Sequence, residues 1–85
     1  MKNSKSYNSY IRQAREAVKG TTGIYRIIAI TEYFNEVGHP HAHSTANKLI
    51  MDRIHYQQSD RDFAYKVMSD MAYLVATNEA IEQSV

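Results

Sequence analysis

Only three glycines and one proline interrupt the 85-residue chain, as Gly20, Gly23, Gly38 and Pro40. A chain broken so rarely has long runs free to hold one backbone conformation, and the spacing of its apolar residues decides which. Before Gly20, the residues Tyr7, Tyr10, Ile11, Ala14, Ala17 and Val18 recur every three or four positions. That is one face of an α-helix, expected from about Ser6 to Lys19. Ser4 or Ser6 can cap its start, and Gly20 suits the left-handed position past its end. A second helix is expected from about Thr22 to Val37. Ile24, Ile27, Ile28, Ile30, Tyr33, Phe34 and Val37 form the densest apolar stripe in the chain and mark its central element. Gly38 ends this helix and Pro40 prevents its continuation.

Two more segments follow the same period. The third runs from about Ser44, as N-cap, to His55, with Ala46, Leu49, Ile50 and Ile54 inward. The fourth starts at Ser59, where Asp62 three residues on makes an acidic capping box. Phe63, Val67, Met71, Leu74 and Val75 give its apolar face, Asn78 is its expected C-cap, and residues 79–85 are expected to fray. The fold class is therefore all-α: one small domain of four short helices in a compact bundle. A core of Ile11, Ala14, Val18, Ile24, Ile27, Ile28, Phe34, Leu49, Ile50, Phe63, Val67, Met71 and Leu74 is expected. A chain this short buries only about 60–65% of its unfolded surface, so that core is thin. Ile30 and Val75 are surplus to it, either for a homodimer seam or simply as further core.

Several function classes drop out. There is no cysteine, so no disulfide, thiolate ligand or thiol nucleophile. No Gly-rich phosphate loop or HExxH stretch occurs, and Ser44, His43 and Asp52 carry no motif context, so no enzyme and no cofactor is expected. The most apolar stretch, from Ile24 to Val37, is interrupted by Arg26, Thr31, Glu32, Asn35 and Glu36, and does not suit a bilayer. The N-terminus lacks an apolar run of signal-peptide length. A cytoplasmic protein without a membrane partner is the expectation.

The stretch GHPHAHSTANK places His39, His41 and His43 on alternate positions. Alternate residues of an extended chain share a side, which is the geometry of a metal cluster. The fourth ligand would be His55, and twelve helical residues put it about 18 Å from His43. One ion cannot span that, so no metal site is expected. The histidines are read as an exposed loop between helices, with a mild response to pH.

Charge is unevenly placed. Through residue 26 there are six basic residues and one acid; from residue 27 there are four basic residues and eight acids. Lys5, Arg12 and Lys19 stand seven apart on the outer side of the first helix, with Arg15 beside them, over about 21 Å. Such a stripe suits a phosphate backbone or an acidic protein surface. Seven tyrosines outnumber two phenylalanines. Tyr7, Tyr10 and Tyr33 belong at the core edge, whereas Tyr25, Tyr56, Tyr65 and Tyr73 lie off the inward stripes and suit a recognition surface.

Residues 24–81 resemble a winged-helix or helix-turn-helix domain. IYRIIAITEYFNEVG, STANKLIMDRI and DRDFAYKVMSDMAYLVATNEAI stand for its three helices, with Val67, Met71, Leu74, Asn78 and Ile81 spaced like the pattern of a recognition helix. The resemblance implies DNA binding, with Arg61, Tyr65, Lys66 and Ser69 facing the groove. Together with Lys5, Arg12, Arg15, Lys19 and Arg26, these residues make the expected binding set. The expected function is a small non-enzymatic nucleic-acid-binding regulator. The competing class is a protein-binding inhibitor or adaptor of phage or plasmid type, which blocks an acidic partner's surface.

Overall fold

The computed structural model describes residues 2–56 and 59–84, with side chains described for 6–53, 59–79 and 81. Four helices follow in order: α1 (Lys2–Ala17), α2 (Gly23–Glu36), α3 (Ala42–Tyr56) and α4 (Asp60–Ser84). The described residues contain no strand, and the architecture is the expected all-α bundle. α4 has 25 residues. At 1.5 Å per residue it spans about 38 Å, and the whole molecule is 39 Å in its longest dimension. The other three helices pack around this rod. α1 lies along α4 more extensively than any other pair of helices does.

The direction of packing follows from side-chain partners. The Tyr7 and Ser69 hydroxyls share a hydrogen bond of 2.8 Å, whereas Arg15, two turns later in α1, sits over Tyr65, one turn earlier in α4. The two helices are antiparallel. α1 is also antiparallel to α2, because Tyr33 donates to Gln13 and Tyr10 packs against Phe34, while Arg26 lies beside Arg15 and Val18. So the beginnings of α2 and α4 meet at the end of α1.

One core joins all four helices. α1 contributes Ile11 and Ala14, α2 Ile27, Ile30 and Phe34, α3 Ala42, Ala46 and Leu49, and α4 Phe63, Val67, Met71 and Val75. Alanines 14, 64, 72 and 76 are also buried, and small side chains let helices approach closely. Tyr7, Tyr10 and Tyr33 sit half-buried against this core, as their amphipathic rings require. Tyr10 donates to the Glu79 carboxylate. Burial first, then that bond and the charges of Glu79 and Tyr33, push its phenol up to about 12.

The structure corrects several expectations. Ile24, Ile28 and Leu74 are exposed, while Ile30 and Val75 take the core alternative of the two open to them. α2 has more apolar residues than one side can bury, and its inward side is set by Ile27, Ile30, Thr31 and Phe34. Thr31 enters the core because its hydroxyl donates to the Ile27 carbonyl at 2.8 Å. Val18 and Ile50 are only partly buried at the core edge. α1 begins at Lys2 and α3 at Ala42, so Ser4, Ser6 and Ser44 lie within helices and not at their starts. α4 runs through Asn78 to Ser84, so the expected stop there is absent. Two end signals hold. The Ser59 hydroxyl accepts from the Asp62 amide at 3.2 Å, and Gly20 and Gly38 have positive φ of 82° and 104° past the ends of α1 and α2. Ile54 and the tail beyond Ile81 fall outside the described side chains.

Truncation should divide the isoleucines and core aromatics by position. Phe34→Ala is expected to cost about 3–5 kcal/mol in chemical denaturation, whereas Ile24→Ser, at a site 55% exposed, should stay within about 0.5 kcal/mol of the parent. Equal losses at the two positions would contradict the packing.

Candidate functional site

The junction where α2 and α4 begin and α1 ends forms a cleft of about 460 Å³. Arg15 and Val18 line it from α1, Arg26 from α2, and Arg61, Asp62, Ala64, Tyr65 and Met68 from α4. Residues far apart in sequence thus place three arginines around one concavity with a single acidic residue, Asp62. Among the described residues, none of the three arginines is ion-paired.

Each arginine is held differently. Arg15 projects from the last turn of α1, exposed, with its guanidinium carbon 6.0 Å from the Tyr65 ring centre. Cation–π attraction over that distance gives it a preferred perch. Arg26 is half-buried, and its Nη2 donates to the Thr21 carbonyl at 3.2 Å. Its Nε–H is buried without an acceptor. Arg61 is exposed in the first turn of α4. The backbone adds to this field. The amino-terminal ends of α2 and α4 carry partial positive charge. At the end of α1, the carbonyls of Ala14, Glu16 and Val18 are bonded by Val18, Lys19 and Thr21, which blunts its negative end.

Four of the sequence-predicted residues, Arg15, Arg26, Arg61 and Tyr65, are therefore brought together. The others are dispersed. Arg12 is exposed on α1 one turn before Arg15. Lys19 is exposed and paired with Glu16 at 2.9 Å, and Lys66 with Asp70 at 3.3 Å. Such exposed pairs hold their lysines only weakly. Ser69 faces α1, bonded to Tyr7, in a second groove lined by Tyr73 and Leu74. Lys5 falls outside the described side chains, as do His55 and Tyr56. Tyr25 and Tyr73 are exposed, as expected.

Sequence reasoning missed two features. A groove between α2 and α3, lined by Ile24, Ile28, His43 and Ile50 and about 220 Å³ in volume, leaves apolar surface uncovered. The surplus of isoleucines in α2 was its signal. The histidine corner is the other. His41 and His43 are exposed, but His39 is buried, only 3% accessible, which corrects the reading of a wholly exposed loop. Its Nδ1 accepts the His41 backbone N–H at 3.1 Å, making the turn into α3 that Ser44 was expected to make. Its Nε2 is buried without a partner. No group of three or more metal-ligating side chains occurs among the described residues. No helix of the described residues is long and apolar enough to cross a membrane.

No family model matches the chain, and no curated protein or solved structure matches it.

Burial, aided by the neighbouring His41, lowers the His39 pKa below its usual 6.5. The unfolded chain then takes up a proton that the folded one resists, so stability should fall as pH drops below about 6.5. His39→Asn keeps an acceptor near the Nδ1 position and removes the titration. Denaturation midpoints at pH 7.5 and pH 5.5 should separate less in the variant than in the parent. Identical separation would mean that His39 titrates normally.

Proposed function

We propose that the protein is a small non-enzymatic nucleic-acid-binding regulator that meets its target with the outer side of α1 and the beginning of α4. The observation that carries this reading is the convergence of Arg15, Arg26 and Arg61 on one cleft, free of ion pairs among the described residues. Guanidinium groups match phosphate oxygens in planar, bidentate fashion. Arg12 extends the basic surface along α1, and Lys5 and Lys19 continue it in sequence at the same spacing. Phosphate contacts of this kind position a protein on nucleic acid without reading its sequence.

The helix-turn-helix resemblance enters in altered form. Arg61, Tyr65 and Ser69 lie on the side of α4 that α1 flanks, since Arg15 reaches Tyr65 and Tyr7 reaches Ser69. In this reading α1 and α4 approach the nucleic acid together, in place of α4 entering a groove alone. The acids of α4 fit that arrangement better. Asp60 is paired with Arg53 and Asp70 with Lys66, which leaves Asp62 as the carboxylate at the cleft.

A second reading, an adaptor or inhibitor that occupies a protein partner, is favoured by the α2–α3 groove. Ile24, Ile28, Tyr25 and Met51 are exposed on those two helices. Neighbouring apolar residues left in water mark a contact surface more often than isolated ones do.

Retention on heparin and binding to a labelled duplex across a salt series separate the two. The nucleic-acid reading expects affinity to fall steeply with salt, and Arg15→Ala with Arg61→Ala to lower the log–log slope by about 2. Salt-independent behaviour, with a co-purifying protein of fixed stoichiometry that survives nuclease and is lost in Ile28→Asp, would favour the adaptor.

A further inference from the structure

The shape of the arginine cleft says more than its charge. A duplex presents single phosphate charges in a row along a convex cylinder. Cations set out along a helix, such as Lys5, Arg12 and Lys19, match a row. Arg15, Arg26 and Arg61 instead come from three helices and line one concave space of about 460 Å³. Converging guanidinium groups fit one multiply charged group with several oxygens, and a phosphomonoester has that form: nearly two negative charges and three acceptor oxygens. Beside them stands Tyr65, 49% exposed, with Arg15 against its ring. An exposed aromatic next to a phosphate site is a stacking platform for a base. Arg26 is anchored at the edge of this space by its Nη2, which donates to the Thr21 carbonyl, while its Nε–H is buried away from the open cleft.

We propose that this cleft binds the phosphomonoester of a nucleotide, with the attached base laid on the Tyr65–Arg15 pair. The inference rests on the nucleic-acid reading and deepens it, because a phosphorylated strand end is the nucleic-acid form of that group. Asp62, the carboxylate of the lining, works against the ligand. Its backbone N–H, not its side chain, bonds Ser59, so Asp62→Asn removes the charge and leaves the helix cap in place.

The test is fluorescence anisotropy on the full chain with single-stranded eight-nucleotide probes bearing a 5′-phosphate, a 3′-phosphate or two hydroxyl ends, together with competition by a nucleoside monophosphate and by inorganic phosphate. At least one phosphorylated probe should bind ten-fold or more tighter than the hydroxyl probe. Arg61→Ala should erase that preference, and Asp62→Asn should increase affinity several-fold. Tyr65→Ala should weaken the phosphorylated probe while leaving inhibition by inorganic phosphate unchanged, and Tyr65→Phe should restore binding. Circular-dichroism melts confirm that each exposed-site variant is folded. Competition by the nucleoside monophosphate at the affinity of the phosphorylated probe supports the cleft and identifies free nucleotide as the source. Equal, salt-sensitive binding of phosphorylated and hydroxyl probes would overturn this proposal and leave the nucleic-acid reading standing. No binding of any probe or of a duplex would overturn both.

Discussion

α1 laid antiparallel along α4 is the contact on which the rest of the molecule depends. A 25-residue helix cannot be covered on its inner side by two helices of 14 and 15 residues packed as a hairpin. α1 covers the remainder. It does so with a modest apolar contribution, Ile11 and Ala14, extended at the edge by Tyr7, Tyr10 and Val18. The tyrosines make this workable. Each buries a ring against the core and ends in a hydroxyl bonded across to α4, Tyr7 to Ser69 and Tyr10 to Glu79. Those bonds tie α1 to α4 at two places along the longer helix, and the antiparallel sense comes from Arg15 at Tyr65 against Tyr10 at Glu79. α4 continues past Asn78, and Glu79 meets Tyr10 there.

The same contact converts a sequence asymmetry into a spatial one. The first 26 residues hold an excess of five positive charges and the remainder an excess of four negative charges. Antiparallel packing brings the end of the basic segment to the beginning of α4, where two helix amino-termini already tilt the potential positive. Arg15, Arg26 and Arg61 meet there. Arg26 and the Ile24–Ile28 pair lie on nearly opposite sides of α2, given 100° per residue. One helix therefore separates a cationic cleft from an apolar groove.

The helices could be read from the sequence because periodicity is a local property. Gly20, Gly38 and Ser59 marked boundaries for reasons confined to a few residues, a positive φ or a hydroxyl within reach of an amide. The apolar choice within α2 could not be read that way. Its apolar residues wrap more than one side of it, and which side turns inward is decided by the three helices packed against it, not by α2 alone. Thr31 took a core position that Ile28 was expected to share, since a threonine can satisfy its hydroxyl within its own helix. His39 was hidden for a different reason. Histidine is a rare helix-entry acceptor, and only the fold of the turn shows its Nδ1 turned onto the His41 amide. The site was half visible. The basic stripe of α1 stood out by spacing, but the meeting of Arg15 with Arg26, Arg61 and Tyr65 needs the register of α1 against α4.

That register is open to a direct measurement by nuclear Overhauser spectroscopy on isotopically labelled protein. Cross-peaks between the Tyr65 ring and the Arg15 side chain, and between the Tyr7 ring and Ser69, should appear together, with Arg26 and Arg61 close to the first pair. If Arg15 instead gave contacts near Tyr73 or Glu79, or none to α4, the two helices would be parallel or unpacked. The cleft would then not exist as a single place.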